Sequence, residues 1–264
     1  MELDYQTIAI SKREKGVSWI FIDNPPVNAI NNILMDELDE AVEQLAKDSD
    51  VRVIVISSKH PKIFLAGADL KAMVAGAGDY VGEENGIARG SARMQQCFHR
   101  LSTIEKPVIA AINGYALGGG CELALSCDFR IMGKGRIGLT EVSLGIIPGA
   151  GGTQRLPRLV GRAKAIEMIF TAKQIEADEA ERIGLITKAV APEKLIEETT
   201  RFAESLAEGA VKAMGLAKRA INAADLPIEK GLEVEAQAFS ETFLTDEPAI
   251  GLAAFFNKEK AKFI

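Results

Sequence analysis

Histidine and cysteine are scarce in this chain, a surplus of positive charge is missing, and each shortage removes a class of function. Only two histidines, His60 and His99, occur among 264 residues. They form no His-x-x-x-His pair, so no metal centre is indicated. His99 falls within a helical pattern and reads as a polar-face residue. The three cysteines, Cys97, Cys121 and Cys127, contain no Cys-x-x-Cys. An odd set of this kind suits neither a disulfide framework nor zinc, and is expected to be reduced and buried in a cytoplasmic protein. No Gly-x-Ser-x-Gly elbow supports a serine triad. The formal net charge of -6 argues against binding to nucleic acid or an anionic membrane through overall charge. No apolar run reaches membrane-spanning length, and Met1 to Asp4 lack the basic-then-apolar pattern of an export leader. With 47% hydrophobic and 26% charged residues, the composition is that of an ordinary globular chain long enough for a substantial core.

What is present is glycine in informative places. Lys106-Pro-Val-Ile-Ala-Ala-Ile-Asn113-Gly-Tyr-Ala-Leu leads into Gly118-Gly119-Gly120-Cys121-Glu122. Val108 to Ile112 reads as a buried strand, and Glu122 opens an apolar segment, Leu123 to Leu125, that reads as a helix. Two explanations of the triple glycine stand side by side. Unpaired N–H groups at a helix start favour an anion, or backbone packs closely on backbone. A dinucleotide fingerprint is not supplied by this run or by Pro148-Gly149-Ala150-Gly151-Gly152, and no Gly-x-x-x-x-Gly-Lys-[Ser/Thr] loop occurs.

The rest of the chain predicts short strands alternating with helices. Tyr5 to Ser11 and Val17 to Asp23 form a strand pair, stopped by Asn24-Pro25-Pro26. A helix covers about Asn32 to Lys47, with Leu34, Leu38, Val42 and Leu45 as its apolar stripe. Val51 to Ile56 is a strand. In Ile63-Phe-Leu-Ala66-Gly67-Ala68-Asp69-Leu70-Lys71, small residues admit a ligand close to the main chain, and Asp69 is placed to cap a following turn. Lys59, Lys62 and Lys71 form a local basic cluster suited to an anionic ligand. Asp79 to Gly90 is expected as a mobile loop entering a helix at Arg93 to Leu101. Phe129 to Met132 is a strand, and a second glycine loop, Gly145 to Arg155, follows Glu141 and starts a helix. Helices at Arg162 to Phe170 and Glu176 to Ile183 precede a strand at Ile186 to Val190. Three amphipathic helices then lead to Ile250 to Phe256, apolar nearly all round and so expected to be buried on its own core or on a neighbouring subunit. The pattern predicts an α/β core with a helical C-terminal region. Glu122 and Glu141 are the outstanding acids.

The stretches 64–71, 106–124 and 145–156 (Gly-Ile-Ile-Pro-Gly-Ala-Gly-Gly-Thr-Gln-Arg-Leu) resemble the crotonase (enoyl-CoA hydratase) family, and the similarity runs through to Phe255-Phe-Asn-Lys258-Glu-Lys. The resemblance implies a spiral of ββα units over residues 1–195. It further implies a helical region, 196–264, that assembles chains into a homotrimer or a dimer of trimers. It implies an oxyanion hole of two backbone N–H groups, at Ala68 and Gly119, gripping the thioester oxygen of an acyl-CoA. Glu122 would then orient and deprotonate water, Glu141 would deliver a proton to C2, and Gly149 would hold the water or wall the site. For coenzyme A, which is part of the substrate rather than a cofactor, it implies Ala66, Asp69, Leu70 and Lys71, with Phe255 and Lys258 from an adjacent subunit. The implied activity is hydration of a trans-2-enoyl-CoA in fatty-acid β-oxidation. Alternatives are an enoyl-CoA isomerase or a branched or dicarboxylic enoyl-CoA hydratase and, from another class, a non-catalytic RNA-binding relative. No metal, nucleic acid or membrane is implied. Ile137 and Thr140 stand where Phe and Pro are frequent in the family, which leaves the preferred acyl length open.

Overall fold

Strands that are apolar along their whole length need cover on both faces, and that requirement sets the architecture. The computed structural model describes residues 5–69 and 85–264. Its largest sheet orders β1 (Ile8–Lys12), β2 (Val17–Ile22), β4 (Val53–Ser58), β7 (Val108–Ile112), β9 (Phe129–Met132) and β11 (Lys188–Ala189) side by side. Only β1 and β2 are antiparallel; the other neighbours run parallel. Ile54, Ile56, Ala110 and Ile112 face one core. Val53, Val55, Ile109 and Ala111 face a second, closed by Leu195, Ala203 and Ala207 of helix α7 (Leu195–Ala207). Side chains alternate across each strand, so a single run such as Val-Ile-Val-Ile serves both cores.

The first core is roofed by α1 (Asn32–Lys47), whose Leu34, Leu38, Ala41, Val42 and Leu45 are buried. Asn31 caps this helix, its side-chain oxygen accepting from the Leu34 N–H at 2.9 Å, which satisfies a donor left free at a helix start. Beside it lies α2 (Gly86–Thr103), burying Cys97, Phe98 and Leu101. This helix starts at Gly86, not Arg93, so the end of the expected 79–90 loop is helical. Gly86 and Gly90 weaken local propensity, but Gly86 is itself buried and tertiary packing prevails. Residues 79–84 lie outside the described residues.

Two small parallel sheets complete the core: β10 (Ile137–Gly138), β8 (Tyr115–Leu117) and β5 (Ile63–Leu65) in that order, and β3 (Ala29–Ile30) with β6 (Gly67–Ala68). The run from β7 to the helix α3 (Gly119–Ser126) was expected to pass through a simple glycine turn. It contains β8, which pairs through Ala116 with both neighbours. A three-residue strand lies below what periodicity detects. The chain continues through α4 (Gly152–Val160), α5 (Arg162–Phe170), α6 (Ala177–Arg182) and α7 to α8 (Val211–Asn222), α9 (Ile228–Thr242) and α10 (Glu247–Asn257). Among the described residues, no helix is long and apolar enough to cross a membrane.

Candidate active site

Three parallel strands end along one edge of the β10–β8–β5 sheet, and each delivers a predicted residue there. After β5 come Ala66, Gly67 and Ala68; after β8, Gly118 and Gly119; after β10, Leu139, Thr140 and Glu141. The carboxyl ends of parallel strands are where open α/β sheets place ligands. The three pieces touch. A Cβ on Gly67 would lie 3.3 Å from the Gly119 nitrogen, and one on Gly118 would lie 3.1 Å from Glu141 Oε1.

The amides of Ala68 and Gly119 have no evident duty in the ladder or the helix. The Asp69 N–H donates to Ile30 O at 3.0 Å, and successive amides of an extended chain point to opposite sides, so the Ala68 N–H faces away from β3. In α3 the first intrahelical bond runs from Glu122 N to Gly118 O at 3.0 Å, which leaves Gly119 among the donors unpaired within the helix. The triple glycine supports both readings, at different positions. Gly118 adopts φ 54°, and Gly120 approaches Leu65 so closely that a Cβ would lie 2.0 Å from its carbonyl oxygen. Gly120 packs on Leu65, and Gly119 is one of the helix-start amides without an intrahelical acceptor.

Glu122 is only 2% exposed. Its Oε1 accepts from the amides of Ala150 (2.7 Å) and Gly152 (2.8 Å) in the second glycine loop. Burial raises its pKa above the usual carboxylate value, while those amides and the Arg155 guanidinium pull it down. Burial likewise pushes Glu141 up to about 7, opposed by backbone N–H groups and reinforced by the charge of Glu122. Glu141 Oε2 is buried without a hydrogen-bond partner among the described residues. A half-satisfied carboxyl of this kind points to a ligand not permanently in place. Gly149 precedes the Ala150 amide that Glu122 accepts from, its own carbonyl accepting from Ser91 Oγ at 2.6 Å and Gln95 Nε2 at 2.8 Å.

Other predicted positions are dispersed. Ala66 is exposed and its N–H donates to Asn28 O at 3.1 Å. Asp69 is half-buried at the end of its strand. Leu70 and Lys71 lie outside the described residues, so of the basic cluster only Lys59 and Lys62 are placed. Lys59 pairs with Asp23 at 3.1 Å. Phe255, 74% exposed, lies in the last turn of α10, and Lys258 follows it at φ 58°. Ser91, Gln95 and Arg155 were not singled out from sequence. The only signal for the first two was their i, i+4 spacing on one helix face.

Amides at a strand end and a helix start, beside two carboxyls whose pKa burial raises, are groups of the kind that can polarise a carbonyl and move protons next to it. Residues 12–264 match the family described as Enoyl-CoA hydratase/isomerase, and the chain belongs to that family. It is 41% identical over 263 residues to a crotonyl-CoA hydratase from Syntrophomonas wolfei, with 98% of each chain covered. It is 41% identical over 254 residues to a short-chain-enoyl-CoA hydratase from Clostridium acetobutylicum, with 95% of each covered. Among solved structures, the enoyl-CoA hydratase from Bacillus anthracis aligns with a TM-score of 0.89 at 36% identity, covering 98% of this chain and 99% of that one.

Proposed function

We propose that this chain hydrates short trans-2-enoyl-CoA thioesters to 3-hydroxyacyl-CoA, as in fatty-acid β-oxidation. The observation that carries this reading is the delivery of Ala68, Gly119 and Glu141 to one sheet edge, with Glu122 held against the same glycines. The names of the similar hydratases support the substrate class.

The thioester oxygen accepts from the Ala68 and Gly119 amides. Electron density moves onto it as water attacks C3, so these bonds strengthen in the transition state, each worth about 3–4 kcal/mol. Ionised Glu122 takes a proton from the attacking water, and protonated Glu141 gives one to C2. One molecule of water is added in total, and exchange of a proton between the acids through the next water restores both. The two carboxyls titrate as a pair, so the assignment describes their shared proton. Gly149 walls the water site. Ala66 and Asp69 are assigned to the path of coenzyme A, with Phe255 and Lys258 supplied by a neighbouring copy; the family resemblance assigns Leu70 and Lys71, outside the described residues, to the same ligand. No separate cofactor or metal takes part.

Phe239, Phe243, Leu252, Phe255 and Phe256 are all more than half exposed in one chain. Exposed apolar side chains of this number support assembly into a trimer or dimer of trimers, and a monomer mass by light scattering would count against it. Three buried free thiols support a cytoplasmic setting.

The deciding experiment incubates purified protein with crotonyl-CoA and follows enoyl absorbance. Loss of absorbance with formation of 3-hydroxybutyryl-CoA is expected. Unchanged crotonyl-CoA, together with conversion of a 3-enoyl-CoA to the 2-enoyl isomer, would replace hydration by isomerisation.

A further inference from the structure

The loop that grips Glu122 is packed on one side and open on the other: Ala150 is fully buried in the core, and a Cβ on Gly152 would lie 2.9 Å from Leu139. On its outer side, Pro148, Gly151 and Arg155 line an open cleft of about 850 Å³ that also reaches Gln95. On the cleft side the loop is held by its polar bonds. Those bonds divide by direction. The amides of Ala150 and Gly152 turn inward to Glu122 Oε1. The carbonyls turn outward: Gly149 O takes bonds from Ser91 Oγ at 2.6 Å and Gln95 Nε2 at 2.8 Å, and Ala150 O accepts from Arg155 Nη1 at 3.2 Å. Gln95 Nε2 also reaches Ser91 Oγ at 3.2 Å. The two α2 side chains and the Gly149 carbonyl thus form a closed triangle, in which each bond polarises the next.

We infer that Ser91 and Gln95 are positioning residues, clamping the Gly149 carbonyl to α2 so that the next amides stay aimed at Glu122. The inference rests on the hydratase reading for its kinetic consequence. Peptide planes are rigid, so fixing the Gly149 carbonyl fixes the Ala150 N–H on the same plane, pointing the opposite way. A loosened clamp weakens donors that stabilise ionised Glu122. The other charges facing Glu122, Arg155 from α4 and Glu141 beyond β10, are left unchanged.

The double variant Ser91→Ala with Gln95→Met tests this. Its kcat on crotonyl-CoA is expected to fall about tenfold with KM within about twofold, because the loss concerns proton transfer rather than binding. The acid limb of the pH–rate profile should move upward, since Glu122 loses bonds to its charged form. Ser91→Thr, which keeps the hydroxyl, should restore most of the rate. Amide exchange at Ala150 and Gly152 should quicken while that in β4 and β7 stays unchanged. Normal kcat with an unmoved acid limb would overturn the inference. If the wild-type chain leaves crotonyl-CoA untouched, the hydratase reading fails, and amide exchange alone decides the clamp: unaltered exchange at the two amides overturns it.

Discussion

Glu122 and Glu141 share a site but are held in contrasting ways. Glu122 rises from the first turn of a helix, is almost wholly buried, and has one oxygen fixed by two backbone donors. Glu141 opens a short 3-10 turn, Glu141–Leu144, is half-buried, and keeps an oxygen without a partner among the described residues. The same residue type is thus given a fixed, charge-stabilising cradle in one case and a less satisfied setting in the other. Burial raises the pKa of both, and the two amides on Glu122 oppose that rise.

Removing either carboxyl is the strongest challenge to this contrast. Glu122→Gln retains an oxygen for the two amides and Glu141→Gln retains the shape, so both should fold. Each should lower kcat on crotonyl-CoA by about a thousandfold. Near-normal turnover in either would strip that residue of its role. A subtler effect is expected in the pH profile of kcat/KM. Glu122 must be ionised, and burial raises its pKa, so activity should decline on the acid side as it gains a proton. Glu141 must be protonated, so activity should also fall as pH rises through about 7. The residual activity of Glu141→Gln should lack the alkaline limb; a limb that persists would assign it to another group.

The smallest effect concerns stability. Below the ordinary carboxylate value Glu141 is protonated whether folded or not. Between that value and about 7 the folded chain holds a proton that the unfolded chain has released, so stability falls with rising pH across this window and the full penalty persists above it. Glu141→Gln should therefore be more stable than the parent at pH 8, by about 1 kcal/mol once the shift is discounted for partial solvent exposure. Little difference is expected at pH 4. Thermal melts at the two pH values read this directly, and equal gains at both would show that the carboxyl is not strained by charge.

Much of this was legible in the sequence because the signals were local. The apolar run Val108 to Ile112, the glycines and Glu122 announced a strand, a close approach and a buried acid within 15 residues of chain. The α1 stripe predicted that helix at its observed bounds, Asn32–Lys47. What escaped was long-range. β8 is too short to show a period, and its existence depends on partners 52 residues before it and 21 after it (Ile63↔Tyr115, Ala116↔Ile137). The start of α2 was missed because its glycines argue against a helix until the packing around it is known. Ser91 and Gln95 resemble any polar pair on a helix face; only the neighbouring Gly149 carbonyl gives them a task. The separate parts played by Gly118, Gly119 and Gly120 likewise follow from Glu141, Gly67 and Leu65, none of which adjoins them in sequence.

The edge on which the three short strands end has an implication for how the family can vary. Just upstream of β5 and β10 the backbone is already crowded, since a Cβ on Gly114 would lie 2.3 Å from Lys62 C and one on Gly135 2.4 Å from Gly114 C. A residue inserted between Leu117 and Gly119 would swing the helix start away from Ala68 and carry Glu122 off the Ala150 and Gly152 amides in the same movement. Chain length is thus held by backbone contact on the way into this corner as well as on the way out.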